Sequence, residues 1–111
     1  MPLAEQVVGR IVEIKPRVHT IDDITKTVCD QFCISPQVLV SNSRQHDVVV
    51  ARQVAMYLTK RYTGMTLSEI GRYMGNRTHA TVAHAIDTMN TVLADDVKLG
   101  QRVRQVESVM G

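Results

Sequence analysis

The chain has 111 residues, which is enough for one domain with a modest core and too few for two. Apolar residues make up 44% and charged residues 22%, an ordinary balance for a globular protein that argues against disorder. No apolar run approaches the ~20 residues that a membrane-spanning helix needs, and the first ten residues do not have the pattern of a secretory signal. With Cys29 and Cys33 as the two cysteines, these features predict a cytoplasmic protein without a membrane partner.

The formal net charge is only +2, but the charges are unevenly distributed along the chain. Residues 41–84 contain six arginines and lysines against two acids, so this window carries +4 and the rest of the chain carries −2. A basic half on an otherwise acidic domain is typical of a surface that binds phosphates. A solvated surface with uneven charge has the same pattern, so both interpretations stay open at this stage.

The N-terminal residues 1–19 are predicted to precede the main domain, which we expect to span residues 20–111. Apolar residues between positions 3 and 14 recur close to the helical period of 3.6, and Pro16 ends any helix there. This helix could pack on the domain, mediate dimerisation, or be the end of a linker from a longer protein. The sequence does not separate these three alternatives.

Two short helical segments follow. Thr20 and Asp23 form a capping pair before an apolar stripe that continues to Phe32, and the pair Ser35-Pro36 opens a short helix through Val40. Cys29 and Cys33 lie four residues apart at the edge of this stripe. Because zinc needs about four ligands and no third ligand has suitable spacing, we predict buried, inert thiols and no metal site.

Residues 41–47 (SNSRQHD) are polar and predict an exposed loop with Arg44 as its one arginine. A long helix is predicted for residues 48–62, and it should form the centre of the core. Its inward positions are predicted to be Val50, Val54 and Leu58, with Tyr57 and Tyr62 as further candidates, whereas Arg52, Lys60 and Arg61 are expected to be solvated.

Residues 66–84 predict two short helices joined by a tight turn. Thr66 and Glu69 form a capping box at the start of the first helix, and Gly75-Asn76 ends it with two residues that tolerate a left-handed backbone. The first turn of the second helix is expected to carry residues 77–81. This arrangement is the helix-turn-helix shape that places its second helix in a DNA groove.

The second helix of this motif has two distinct faces. Its core face is predicted to consist of Val82, Ile86, Met89 and Leu93, and its opposite face of Arg77, Ala80, Thr81, His84 and Thr88. The opposite face is small, cationic and rich in hydroxyls, which suits contact with base edges. A last helix is predicted for residues 97–110 after the break at Asp95-Asp96, so the whole architecture is predicted to be all-α.

Three segments in order, ARQVAMYLTKRYT (51–63), LSEIGRYMGNR (67–77) and THATVAHA (78–85), carry a family resemblance. Together they resemble the C-terminal DNA-binding domain of the bacterial replication initiator DnaA, over about residues 21–110 and without a gap between the motifs. The resemblance implies an all-α, multi-helix domain with a helix-turn-helix motif, similar to the Trp repressor.

The resemblance also implies a function and a set of contact residues. The expected partner is double-stranded DNA carrying a DnaA-box-like site, with the recognition helix in the major groove and a loop arginine in the minor groove. Carried over by position, the loop arginine is Arg44, and the turn that contacts bases and phosphates comprises Arg77, Thr78, His79, Ala80 and Thr81. The phosphate contacts on the long helix are Arg52 and Lys60, and those at the start of the first motif helix are Leu67 and Ser68. His84 is added as a candidate from the exposed face of the second helix.

The chain departs from the family pattern in ways that bear on its function. Thr78 stands where the family has an aspartate, Ala80 replaces a frequent threonine, and the usually basic loop has one arginine. Recognition of the usual box is therefore expected to be altered. No G-x-x-x-x-G-K-[ST] loop occurs, so we predict no ATPase and no cofactor. The chain is expected to be either an excised domain or a free-standing relative. A DnaA-type ATPase, or a second copy bound through residues 3–14, is a further candidate partner.

The sequence also bears on two other classes of function. An enzyme is not indicated, because His79 and His84 are five residues apart and no nucleophile lies in a recognisable triad, so no catalytic residue is predicted. The alternative is a DnaA-derived protein-interaction or transcription-regulatory module that has altered or lost DNA-box recognition. Such a module would be expected to expose an apolar patch in place of the reading face.

Overall fold

The computed structural model describes residues 19–110, and six helices make up this part of the chain. They are α1 (Ile21–Phe32), α2 (Pro36–Leu39), α3 (His46–Tyr62), α4 (Leu67–Tyr73), α5 (His79–Asp95) and α6 (Val97–Met110). No strand occurs between residues 19 and 110, so the all-α prediction is confirmed for this part. The predicted helix at residues 3–14 lies outside the described residues, and the division at residue 19 stays a prediction.

The first two helices begin at the predicted caps. The Thr20 hydroxyl accepts from the Asp23 N–H at 3.2 Å, and the Ser35 hydroxyl accepts from the Val38 N–H at 3.3 Å, with Pro36 in the first turn of α2. Each cap satisfies a backbone donor that a helix start leaves free, which stabilises the helix by about 1 kcal/mol. Helix α2 ends at Leu39, one residue earlier than predicted.

The two cysteines have different environments. Cys29 is buried, as predicted, and burial is the main cause that raises the pKa of its thiol. Cys33 ends α1 in the left-handed conformation with φ 57° and is exposed, so the prediction that both thiols are buried was wrong for Cys33. The apolar period alone did not show that the helix would end there and turn the side chain outwards.

Helix α3 is the central element, and it packs against α1, α2, α4 and α5. It begins at His46, two residues earlier than predicted, so the preceding loop is shorter than expected. Val54 and Leu58 have no exposed surface, whereas Val50 and Tyr57 are half-buried. Tyr62 is 37% exposed, so its prediction as a core residue was wrong. Burying a side chain such as Leu58 contributes about 1.5–3 kcal/mol.

The remaining helices complete the core. The capping box of α4 is present in both directions: the Thr66 N–H donates to Glu69 Oε1 at 2.8 Å and the Glu69 N–H donates to the Thr66 hydroxyl at 3.1 Å. Helix α6 has the predicted bounds and packs against α1 and α5. All four of its predicted inward residues are buried, namely Leu99, Val103, Val106 and Met110. None of the helices within residues 19–110 has the length and apolar character to span a bilayer.

Candidate nucleic-acid interface

The turn between α4 and α5 is a tight backbone reversal. Gly75 and Asn76 both have positive φ, at 90° and 61°, as the sequence predicted for this pair. The Arg77 N–H then donates to the Gly71 carbonyl at 2.8 Å, which draws the incoming chain onto α4. A Cβ atom on Gly71 would overlap the Arg77 carbonyl, so glycine is what allows this close approach. The turn therefore fixes the position of α5 relative to α4.

The start of α5 presents small polar groups to solvent. Thr78 is the N-cap residue, and its hydroxyl accepts from the Thr81 N–H at 3.3 Å and lies 3.1 Å from the Thr81 hydroxyl. His79, Ala80 and His84 are exposed alongside these two threonines. On the other side of the helix Val82 and Met89 are buried and Ile86 and Leu93 are half-buried, as the helical wheel predicted. The predicted exposed face is confirmed at Ala80, Thr81 and His84, whereas Thr88 is half-buried.

Arg77 differs from its prediction. It precedes α5, because the helix begins at His79 with Thr78 as its cap. Its guanidinium does not point outwards: Nη2 donates to the Ser41 carbonyl at 2.7 Å, and Nη1 donates to the Met74 carbonyl and, at 3.4 Å, to the Val40 carbonyl. The expectation of an outward-facing Arg77 was wrong. Burial lowers the pKa of its guanidinium.

Arg52 was expected to be a solvated charge and, from the resemblance, a phosphate contact. In the structure only 8% of its surface is exposed. Its Nε donates to the Leu39 carbonyl at 2.8 Å, and its Nη2 donates to the Ser41 and Ser43 carbonyls at 2.9 and 3.2 Å. The expectation of a solvated side chain was wrong, because the loop after α2 folds back over this position and supplies the carbonyls.

The loop at residues 41–45 carries Arg44 on its exposed surface. Serine hydroxyls shape the loop from within: the Ser41 hydroxyl donates to the Val38 carbonyl at 2.6 Å and accepts from the Ser43 N–H at 3.2 Å. The Ser43 hydroxyl in turn accepts from the Gln45 N–H at 3.3 Å. Arg44 is therefore an exposed cation on a loop whose backbone is held by its neighbours.

The other predicted residues lie near α4. Lys60 is exposed near the end of α3, and its Nζ donates to the Met65 carbonyl at 3.4 Å. Leu67 is half-buried against the core, so its side chain anchors α4. Ser68 is exposed and lines a shallow cleft between α4 and the start of α5, together with Arg72, Asn76, Arg77, Thr78 and His79.

Arg72 is a candidate contact that the sequence analysis did not assign. It is exposed on α4 and lines the same cleft as Ser68, Thr78 and His79. The spacing of Ser68 and Arg72, four residues apart on one helix, could have revealed it, because such residues share a face. Arg44 in the loop before α3, Lys60 near the end of α3 and Arg72 on α4 are thus three exposed cations.

Other site chemistries find little support in the described residues. Between residues 19 and 110, no three His, Cys, Asp or Glu side chains come together as a group that could hold a metal ion. The exposed large apolar side chains of this region are Val38, Tyr62, Tyr73, Val97 and Val109, and none of these lies on the first turns of α5. The exposed start of α5 is thus a polar surface.

Comparisons with known proteins agree with this geometry. The sequence model of a family described as "Bacterial dnaA protein helix-turn-helix" matches residues 21–89, which include the whole motif. The chain is 40% identical over 110 residues to the chromosomal replication initiator protein DnaA of Bacteroides thetaiotaomicron, covering 99% of this chain and 23% of that protein. It is 44% identical over 96 residues to the protein of the same name from Flavobacterium psychrophilum, covering 86% of this chain and 20% of that protein.

A more distant relative gives the same result. The chromosomal replication initiator protein DnaA of Rhizobium meliloti is 36% identical over 107 residues, covering 96% of this chain and 22% of its own length. The chain thus spans between a fifth and a quarter of the length of these relatives. The helix-turn-helix at residues 66–84 lies within the segment that the family model and these relatives match. The chain belongs to the bacterial DnaA helix-turn-helix family.

Proposed function

We propose that this chain binds double-stranded DNA at a DnaA-box-like site, in replication initiation or its regulation. The observation that carries the proposal is the exposed start of α5, where Thr78 and His79 line one cleft with the cation Arg72, and Ala80 and Thr81 are exposed directly after them. Hydroxyls can donate to or accept from base edges, and a methyl group can contact a thymine methyl. The names of the relatives, chromosomal replication initiator proteins, support the process.

Two groove contacts are proposed from this arrangement. The first turn of α5 enters the major groove, where its N-terminus also offers backbone N–H groups to a phosphate. Arg44, exposed on the loop before α3, enters the adjacent minor groove, where a narrow A·T-rich groove concentrates negative potential. Lys60, Ser68 and Arg72 contact the phosphates between these two points.

We propose a smaller set of direct contacts than the resemblance implies. Arg52 and Arg77 direct their guanidiniums to main-chain carbonyls, so we assign them to the support of the interface. Leu67 acts through the placement of α4, because its side chain packs on the core. The proposed direct contacts are therefore Arg44, Lys60, Ser68, Arg72, Thr78, His79, Ala80, Thr81 and His84.

Catalysis forms no part of the proposal. The sequence contains no Gly-Lys pair and hence no phosphate-binding loop of the G-x-x-x-x-G-K-[ST] type, so we propose that this chain contributes DNA binding without an ATPase. A DnaA-type ATPase or a second copy bound through residues 3–14 is proposed as an additional partner. The protein-interaction alternative gains no support from the start of α5, since large apolar side chains are not exposed there.

Titration of a labelled duplex at two salt concentrations tests the proposal. We expect binding that weakens as salt rises, with log K falling by about 0.9 per neutralised phosphate against log salt. Arg72→Ala should reduce this slope, whereas Arg104→Ala, an exposed arginine on α6, should leave it unchanged. Absence of binding at low salt would refute the proposal. Selection from a random duplex pool would then show which base sequence is read.

A further inference from the structure

The loop before α3 is linked to the turn before α5 through one backbone atom, the carbonyl oxygen of Ser41. The Ser41 carbonyl accepts from Arg52 Nη2 at 2.9 Å and from Arg77 Nη2 at 2.7 Å. Arg52 lies on α3, whereas Arg77 leads into α5. The two arginines therefore join three elements: the central helix, the loop that carries Arg44, and the start of the helix that presents Thr78 and His79.

Each arginine also binds further carbonyls on its own side of this joint. Arg52 holds the Leu39 and Ser43 carbonyls, so it spans the loop from its beginning to its middle. Arg77 holds the Val40 and Met74 carbonyls, so it ties the loop to the turn. A planar guanidinium with several fixed donors can bind carbonyls on two sides at once, which a lysine ammonium on its flexible stem does less well.

The turn contacts the loop directly as well. Gly75 has φ 90°, and a Cβ atom there would overlap the Val40 carbonyl. The backbones of the two segments are thus in contact, and the guanidinium of Arg77 lies beside them. Burial lowers the pKa of the Arg52 guanidinium, and the positive charge of Arg77 lowers it further. The carbonyl oxygens that accept from the two guanidiniums offset the repulsion between their positive charges. The same hydrogen bonds therefore hold both the two arginines and the backbone of the loop in place.

We propose that Arg52 and Arg77 are positioning residues that fix Arg44 relative to the start of α5, and so set the distance between the minor-groove and major-groove contacts. This inference rests on the proposed function. Neither guanidinium then neutralises a phosphate in the complex. Their contribution to affinity comes from holding the loop in its binding shape before DNA arrives, which avoids the ordering cost on binding.

The test compares Arg52→Lys with Arg61→Lys in the full chain. Arg61 is an exposed arginine on the same helix, and its Nη1 donates to the Tyr57 hydroxyl, so its replacement is a matched control. Both substitutions keep the charge. We expect Arg52→Lys to weaken binding to an A·T-rich duplex by about tenfold, the loss of one good contact, and Arg61→Lys to change it by less than about twofold. In a chain that also carries Arg44→Ala, neither substitution should change the salt slope.

A double-mutant cycle with Arg44→Ala separates positioning from direct contact. If Arg52 acts through Arg44, then Arg52→Lys should cost little once Arg44 is gone, giving a strong coupling between the two sites. Additive losses, or an Arg52→Ala substitution that still lowers the salt slope by about 0.9 in a chain that carries Arg44→Ala, would show that Arg52 contacts a phosphate and would overturn the inference. If the original chain does not bind duplex DNA at all, the proposed function fails instead.

Hydrogen exchange gives a readout that needs no DNA. The Ser43 and Gln45 amides donate to serine hydroxyls inside the loop, and we expect both to exchange faster in Arg52→Lys than in Arg61→Lys. Unchanged exchange at these amides would also overturn the inference. Should Arg52→Lys not fold, Arg77→Lys gives the same measurements, since Arg77 is less buried and binds the same Ser41 carbonyl.

Discussion

The two connections that carry the proposed interface are built in different ways. The turn between α4 and α5 is formed by neighbouring residues: Gly75 and Asn76 supply the left-handed backbone, and Arg77 bonds back to Gly71. The loop between α2 and α3 depends on a distant side chain, because Arg52 bonds to carbonyls 9 to 13 residues earlier in the chain. Local residues supply the left-handed backbone of the turn, whereas the loop needs a distant arginine in addition to its own serine hydroxyls. We expect them to fail in different ways when altered.

The largest expected effect is on the turn. Gly71→Ala places a methyl group against the Arg77 carbonyl, a main-chain atom that cannot move without shifting α5. We expect a loss of about 3 kcal/mol in the free energy of unfolding, in the range for overpacked sites, measured by denaturant titration. Gly100→Ala in α6 is the control, since the nearest atom to its Cβ is 3.9 Å away. The control should be neutral or slightly stabilising, and equal losses in both variants would show that the turn has no special requirement for glycine.

The second-largest expected effect comes from a change in the loop before α3, which should lower the affinity for DNA and leave the fold intact. Arg44 is exposed, so Arg44→Ala should leave the thermal midpoint nearly unchanged. We expect it to weaken binding to A·T-rich duplexes by about tenfold and to G·C-rich duplexes by less, because the narrow A·T groove attracts an inserted arginine more strongly. Competition titrations with the two duplex types measure the difference. The same loss on both would contradict insertion into the minor groove.

Substitutions of Thr78 test whether this residue only caps α5 or also contributes to DNA recognition. Thr78→Ala removes the N-cap of α5 and should cost about 1 kcal/mol, whereas Thr78→Asp keeps a capping oxygen and should restore stability. Thr91→Ala, on an exposed position later in α5, serves as the control for helix propensity. Thermal melts check these values.

Thr78 also bears on base preference. A carboxylate only accepts hydrogen bonds, whereas a hydroxyl can also donate, so Thr78→Asp should change the preferred base at one position of the selected site. Sequence selection with both proteins measures this change. Identical selected sites would show that Thr78 does not read a base and that its role is confined to capping α5.

The smallest effect is a pH dependence of the α4 cap. Backbone hydrogen bonding to Thr66 holds the pKa of Glu69 below its ordinary value of 4.5. Because the folded-state pKa is depressed, the Glu69 carboxylate stabilises the fold above pH 4.5, and this contribution is lost as pH falls through the depressed value. Glu69→Gln keeps the hydrogen-bonding shape without the charge. The difference in thermal midpoint between the two proteins should therefore be small at pH 6 and decrease as the pH falls below 4.5, and a difference independent of pH would contradict this account.

The sequence predicted the parts of the fold whose causes lie within a few residues. The capping box of Thr66 and Glu69, the left-handed pair Gly75-Asn76 and the bounds of α6 all follow from local chemistry and helical period. These features also locate the exposed start of α5, so the exposure of Ala80, Thr81 and His84 could be derived from the helical wheel. Local patterns were sufficient because each helix cap bonds to a residue within about four positions.

The sequence did not predict the surroundings of Arg52 and Arg77. Both have the composition signal of surface cations, and the carbonyl that they share belongs to Ser41, 11 residues from Arg52 and 36 from Arg77. Nothing in a helical period indicates that a loop will fold back and bury a charged residue. Tyr62 and Cys33 were misassigned for a related reason, since each lies at a helix end where the periodic pattern no longer determines which side is covered.

The choice of main-chain carbonyls as the ligands of Arg52 has a consequence for how this family member could vary. Every amino acid supplies a carbonyl, so the shape of the loop does not depend on the side chains at Asn42, Arg44 and Gln45, all three of which are exposed. The number of cations on the loop can therefore change while its backbone stays in place. Affinity for the phosphate backbone and the geometry of docking become separately adjustable quantities, one determined by exposed side chains and the other by a buried arginine.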